Sequence, residues 1–326
     1  MKGALILGCL AGVVVVMFLI RFFPPFDDFH LDNPFWNGLK DFQKETKAFS
    51  TDSLSGTELF RFPSETVLFI IGPSGTYNSE EISIISRYIK AGGVLILADD
   101  FGSANSILKG LGLKTRFSHH LVVDPLFRGK SSPLVKAVDI KGPLADIKSL
   151  MFNYPTSLKF NRLEGKVLAT SSSFSFFDDN LNGKREKGED NGPFPMIGEV
   201  GYGKGKILLI ADSSLFINSM LNEEENRKFL KTIIKEKKVF IDTSHHPMTL
   251  FPKMKKIQIK IYQIASRFEI RYSIFLVLVI LTVWMRFKKK KIQPEGDIQD
   301  ILQRHPDWDR EILKNVQRSR FNIDRF

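Results

Sequence analysis

Apolar residues run without a charge from Gly3 to Ile20, and again from Tyr272 to Met285. A helix rises ~1.5 Å per residue, so a ~30 Å hydrocarbon core takes ~20 apolar residues. The first run predicts an uncleaved membrane helix. Arg21, Phe22, Phe23 and Pro24 offer no small-residue cleavage site. The run also continues well past Gly8 and Cys9, where a lipoprotein signal would have stopped. The second run is shorter, but Arg271 and Arg286 can lengthen it by snorkelling, and Tyr272 and Trp284 sit near its ends as interfacial aromatics do. Arg286 and Lys288 to Lys291 follow at once, which places that flank in the cytoplasm. The expected organisation is a span over 1–23, an extracytoplasmic α/β domain over 24–250, a juxtamembrane helix over 251–271, a span over 272–287 and a tail over 288–326. Both termini are then cytoplasmic and residues 24–271 lie outside.

Between the ends the pattern alternates between buried strands and amphipathic helices. Residues 33–48 predict a helix. Thr66 to Ile71 (TVLFII) is a continuous apolar run, as a strand buried on both faces requires. Gly72, Pro73, Ser74 and Gly75 form a turn, and Asn78 with Glu81 makes a capping box. Ile82, Ile85 and Ile89, with Tyr88 beside them, line one face of the helix that follows. Gly92 and Gly93 end it. Val94 to Ala98 is a second buried strand, Asp99 and Asp100 close it, and Ser103 to Leu111 begins another helix. Lys206 to Ala211 repeats the strand pattern, followed by a helical stretch from Glu223 to Lys235 and a last strand, Val239 to Asp242. Weaker strands are expected at 120–123, 135–140 and 167–170. Gly201, Gly203 and Gly205 precede a strand rather than link a strand to a helix, so they predict a hairpin turn and not a phosphate loop. The order defines an α/β fold, a doubly wound and mostly parallel sheet flanked by two transmembrane helices.

The net charge of +11 and pI near 9.5 do not point to nucleic acid. The basic residues gather beside the second span, where they meet anionic lipid headgroups, and no recognition-helix or RNA-binding signature is present. The single cysteine, Cys9, lies in the first apolar run. The soluble part therefore has no disulfide framework, no cysteine metal site and no thiol nucleophile.

The unit FIIGPSGTYNSEEISIISRYIKAGGVLILADDFGS resembles the flavodoxin-type folds related to class I glutamine amidotransferases. More closely, ADDFGSANSILKGLGL, LVVDPLF, DDNLNGKREKGEDNGPFP and ADSSLFINSML resemble a largely archaeal group of membrane proteins that carry the domain of unknown function numbered 4350. That resemblance implies a role in an envelope-associated assembly beside a MoxR-type ATPase and transglutaminase-like membrane proteins. An amidotransferase needs a cysteine on a sharp strand-to-helix turn. The corresponding turn here carries Asp99, Asp100, Phe101, Gly102 and Ser103.

Two constellations could carry chemistry. Asp178, Asn180, Asn182 and Gly183, with Glu189 at the twelfth position, match the calcium-loop pattern. Alternate side chains would point inward, the Lys184 carbonyl would add an oxygen, and Glu186 sits at the ninth position. Arg185 at the eighth position and the lack of flanking helices depart from that pattern. A solvated surface turn is the competing reading. The second constellation gathers at strand ends, where open α/β sheets bind ligands. It comprises Ser74, Asp99, Asp100, Ser103, Asn105, Asp212 and Ser213. Asp99, Asp100 and Asp212 could serve acid–base work or a metal, or simply cap helices. No histidine belongs to this group by sequence logic. His119-His120 and His245-His246 are adjacent pairs that point to opposite faces of a strand, a poor two-ligand arrangement. Tyr154, Pro155 and Arg162 suggest only packing.

The tail predicts helices near 298–304 and 309–318, a docking peptide or a solvated extension. The leading expectation is a noncatalytic interaction or ligand-binding domain with membrane lipid and calcium as its partners. The rival is a metal-dependent hydrolase built on Asp99, Asp100 and Asp212.

Overall fold

The computed structural model describes residues 2–51, 57–246, 249–288 and 295–323. These divide into two compact units, Met1–Lys256 and Ile257–Phe326. The first is built on an eight-stranded sheet. Its strands, in chain order, are β1 (Phe49–Thr51), β2 (Thr66–Ile71), β3 (Val94–Ala98), β4 (Asp139–Ile140), β5 (Gly165–Thr170), β6 (Pro195–Tyr202), β7 (Gly205–Ile210) and β8 (Lys238–Asp242). In space they run β1-β8-β2-β3-β7-β6-β5-β4. The pairs from β1 through β7 are parallel, and those from β7 to β4 are antiparallel.

The apolar runs of β2 and β3 are buried along their whole length because both faces of the sheet are covered. Alternation divides their side chains between two cores. Val67, Phe69 and Ile71 join Val94, Ile96 and Ala98 on one face, with Phe42, Phe216 and Phe229. Leu68, Ile70, Leu95 and Leu97 face the other, with Ile85, Ile89, Ile107 and Leu108. The helices Ser79–Lys90 and Ala104–Gly110 therefore cover one face, and Asn226–Ile234 covers the opposite one. The Asn78–Glu81 capping box is formed, with bonds of 2.8 and 2.9 Å. Gly92 ends that helix at φ +109°. A Cβ on Gly93 would lie 2.4 Å from the Tyr88 ring, whose hydroxyl reaches Thr66 at 3.1 Å. The glycine run is a hairpin turn: β6 and β7 pair up to Tyr202 and Gly205, and Gly203 turns the chain at φ +63°.

Five departures from expectation follow. The helix expected over 33–48 shrinks to Lys40–Thr46. Asn33 diverts the chain before it, donating to the Asp27 carbonyl and accepting from the Phe35 amide at 2.8 Å each. The strand expected over 135–140 splits into Lys136–Ala137, paired with Leu150–Met151, and β4. The one over 120–123 is only Val122–Val123, paired with Phe176–Phe177. β6 was not expected. Among the described residues, one helix rather than two is long and apolar enough to cross a membrane, through Phe268–Met285. The N-terminal helix, Lys2–Phe22, contributes a shorter apolar stretch, Ala11–Phe22.

In the second unit, a turn at Ser266 and Arg267 separates the helix that ends at Ala265 from the helix Phe268–Lys288. The tail helices are Glu295–Arg304 and Arg310–Ile323. Lys289, Lys290 and Lys291 lie outside the described residues.

Candidate functional site

The chain leaves β3 towards one face of the sheet and β7 towards the other, so a crevice opens between two adjacent parallel strands at their carboxyl ends. The expected acidic cluster lies here. Asp99 is fully buried. Its two oxygens accept from the Gly102 amide at 2.9 Å and the Ala104 amide at 3.0 Å, so it caps the Ala104–Gly110 helix from five residues back. Ser103, at the usual capping position, does not cap. Its hydroxyl donates to the carbonyls of Pro73 at 2.9 Å and Gly75 at 2.6 Å. Burial pushes the Asp99 carboxyl up to about 7, with Asp100 adding to the rise and the amides opposing it.

Asp212, also fully buried, closes β7. It accepts from the Asn153 amide at 2.7 Å and the Ser214 amide at 2.6 Å. It thereby pins the excursion between β3 and β7 back onto the strand end, helped by the Thr156 amide on the Ala211 carbonyl at 2.9 Å. Burial, then Asp100, holds its carboxyl well above the ordinary carboxylate range. Ser213 donates to Asp100 at 3.0 Å, which bridges the two strand ends. Asn105 clamps Phe117 through its amide at 2.9 Å and its carbonyl at 3.0 Å. Ser74 belongs to a neighbouring group: its amide and hydroxyl both donate to the His245 carbonyl at 3.1 Å.

Outside these carboxylates lies a cavity of about 670 Å³ whose walls include Phe101, His119, His120, Tyr154, Asp179 and Leu181. His119 contradicts the expectation that no histidine joins the cluster. Its Nε2 lies 3.4 Å from the Asn105 amide nitrogen, and burial lowers its pKa despite the pull of Asp100. His120 pairs with Asp179 at 2.6 Å and stacks on Phe177. Tyr154 was expected only to pack, yet it stands half exposed on this wall, as does Phe101. His119, Tyr154 and Leu181 all have left-handed backbones, at φ +60°, +53° and +59°. Such positions cost energy for any residue with a side chain and gather where surrounding structure holds a site in shape. A second cavity of about 580 Å³, beside Phe29, Phe49 and His246, has two such residues, Phe29 and Lys47.

The 178–189 loop forms one rim of the crevice. Asp178 is buried and accepts from the amides of Asn182 at 3.0 Å and Gly183 at 2.9 Å. Asn180 and Asn182 accept from the amides of Asn182 and Lys184. Glu189 accepts from the Glu186 amide at 2.8 Å, and Glu186 from the Asn182 side chain. Among the described residues, no three His, Cys, Asp or Glu side chains are grouped so as to hold a metal. In this conformation Asp178, Asn180, Asn182 and Glu189 each accept from backbone amides of the loop itself.

The second unforeseen group lies where β8 ends beside β2. The imidazole of His245 meets Asp242 through Nδ1 at 2.7 Å and Glu81 through Nε2 at 3.4 Å. It stacks on Tyr77 with ring centroids 3.6 Å apart. The Tyr77 hydroxyl donates to the same Asp242 oxygen at 2.6 Å. With both nitrogens facing carboxylates, and the Ser244 hydroxyl 2.9 Å from Nδ1, this histidine clasps the end of β8 to the helix Ser79–Lys90.

Fold and site together define a mixed α/β domain, with a large, mostly parallel sheet and an aromatic-walled crevice at its switch point. The chain belongs to the family described as a domain of unknown function (DUF4350), which matches residues 32–234. No curated protein matches it. Among solved structures it is similar to the mmIFT52 N-terminal domain, at 14% identity and a TM-score of 0.47 over 60% of this chain and 88% of that one. It is also similar to the cytoplasmic protein STM1381 of Salmonella typhimurium LT2, at 18% identity and a TM-score of 0.32 over 55% and 77%. A third is a β-galactosidase of Bacillus circulans sp. alkalophilus, at 13% identity and a TM-score of 0.29, where this chain spans 22% of the other's length and 51% of its own is covered.

Proposed function

We propose that this chain is a membrane-anchored, noncatalytic ligand-binding or interaction domain. In this reading the N-terminal helix Lys2–Phe22, although its apolar stretch is shorter, crosses the membrane as well as the segment through Phe268–Met285, both termini are cytoplasmic, and the chain serves an envelope-associated assembly with a MoxR-type ATPase and transglutaminase-like membrane proteins. The domain is of the flavodoxin type related to class I glutamine amidotransferases, without their thiol, in the largely archaeal group its motifs resemble. What supports the noncatalytic reading is the commitment of Asp99 and Asp212: both are fully buried, and both oxygens of each bind backbone amides that hold the strand ends together. Asp100, which is only partly buried and already bonded to Ser213 and the Phe101 amide, is the remaining candidate for the hydrolase reading.

The test is reconstitution of the full-length protein in vesicles with a purified MoxR-type ATPase, beside a version truncated after Lys291. Binding that the truncation removes is the expected result. Failure of the full-length protein to bind would remove the assembly role. A metal-dependent hydrolysis lost in Asp100→Asn would instead establish the rival.

Calcium at the 178–189 loop is part of this proposal. Its two asparagine ligands lower the charge of the site, which suits weak binding at millimolar concentrations. The melting temperature of the full-length protein in detergent is expected to rise in ~5 mM calcium relative to EGTA, and Asp178→Asn to lose most of the rise. Equal melting of the parent in both buffers would retire the ion.

A further inference from the structure

The crevice at the switch point differs in charge from the chain that forms it. The protein carries a formal charge of +11. Yet among the described residues the cavity of about 670 Å³ has two aspartates in its wall, Asp178 and Asp179, and no lysine or arginine. Asp100 adds to the same field. Its pull on His119, in that wall, exceeds the opposing effect of Lys159. Burial lowers the His119 pKa below its ordinary 6.5, so its imidazole is mostly neutral at pH 7. Two exposed aromatic residues share this cavity, Phe101 at 52% and Tyr154 at 54%. Phe101 comes from the turn after β3. Tyr154 follows Asn153, which Asp212 pins to the end of β7.

We propose that this crevice binds an organic cation with an alkylated ammonium centre, held against Phe101 and Tyr154 in the field of the three aspartates. The inference rests on the ligand-binding reading above and names the ligand class of that site. Aromatic faces attract cations through the negative face of the ring, and methylated ammonium groups are the ligands that exploit this most. The wall's hydrogen-bonding capacity is largely spent. Asp178 accepts from two amides, Asp179 pairs with His120 at 2.6 Å, and Asn182 accepts from the Lys184 amide while donating to Glu186. A sugar, which needs directed hydrogen bonds, finds few here. Charge is not spent in the same way. The bonds of Asp178 to amides, and of Asp100 to Ser213 and the Phe101 amide, are to neutral groups and leave the negative field in place. That field repels an anion and does nothing for a neutral apolar ligand, whereas an alkylated ammonium gains from both rings and field and asks for no hydrogen bond.

The test is calorimetric titration of the full-length protein, in a detergent with an uncharged headgroup, with choline and with its neutral carbon analogue, in which a tert-butyl group replaces the trimethylammonium. EGTA is present throughout, so calcium at the 178–189 loop does not contribute. Choline is expected to bind about ten-fold more tightly than the neutral analogue, and its binding to weaken with added salt. Phe101→Leu and Tyr154→Leu are each expected to weaken choline binding about five-fold, and Tyr154→Phe to preserve it. Asp179→Asn is expected to narrow the preference for choline over the analogue. These positions are exposed, so the variants do not depend on the core tolerating a substitution. Equal binding of choline and the neutral analogue would overturn the proposal, as would choline binding that survives both leucine variants. Absence of choline binding would also overturn it. Binding of the MoxR-type ATPase is read separately, so that last result would leave the interaction reading standing.

Discussion

Asp212→Ala is expected to destabilise the α/β domain by about 3–5 kcal/mol, because each buried donor left without its acceptor costs about 1–3 kcal/mol. The carboxylate accepts from Asn153, 59 residues earlier in the chain, and from Ser214 beside it. Alanine strands both amides and detaches the excursion between β3 and β7 from the strand end it covers. Asp212→Asn keeps one acceptor oxygen and is expected to lose roughly half as much. Urea denaturation of the full-length protein in detergent, followed by tryptophan fluorescence and circular dichroism, measures both. A midpoint in Asp212→Ala equal to that of the parent would show that the carboxylate does not hold the excursion in place.

The second large effect is one of pH. Burial raises the Asp99 carboxyl from 3.8 to about 7. Between those values the folded chain holds a proton that the unfolded chain has lost. The stability associated with neutral Asp99 is therefore full below about pH 4 and is lost as the pH rises through about 7. A shift of this size corresponds to at most about 4 kcal/mol, at about 1.4 kcal/mol per pH unit. Asp99→Asn retains an acceptor for the Ala104–Gly110 helix but cannot titrate. Parent and variant are expected to differ least in charge at pH 4, and the parent to lose stability relative to the variant as the pH is raised to 8. Taking the difference between the two proteins removes the contribution of the other carboxylates. A difference independent of pH would mean that Asp99 is ionised throughout that range. Asp100→Asn is a second check: removing the neighbouring charge lowers the Asp99 pKa and moves the loss to lower pH.

Much of the sheet could be read from the chain because its central strands are buried on both faces. TVLFII and VLILA are legible as strands for that reason, and their elements end where the apolar runs end. β6 was hidden by its own composition. PMIGEVGY contains a proline, two glycines and Glu199, and becomes a strand because it pairs with β5 and β7. Glu199 is held there by Lys166 at 3.2 Å and Lys206 at 2.7 Å. At the candidate site the residues that close strands, Asp99, Asp100, Asp212 and Ser213, were legible through the strand-end rule. The walls were not. Tyr154 and His119 come from the excursion between β3 and β7, where no periodicity marks them. Tyr77 meets Asp242 across 165 residues of chain. The adjacent histidine pair at 245–246 appeared unsuited to a shared site, and His245 does act alone, between carboxylates contributed by two other elements.

The position of β8 has a mechanical consequence. The last strand of the sheet lies inside it, between β1 and β2 and parallel to both. A pull on the chain beyond Asp242, directed along the strand, would load the ladders on both sides of β8 in shear. All their bonds would then resist together, whereas a pull across an edge strand opens bonds one at a time. The clasp of His245 with Asp242, Glu81 and Tyr77 sits at the point where that load enters the sheet. The domain is thus joined to the chain that follows by a strand held on both sides, and tension arriving from that side would reach the core before it could peel an edge.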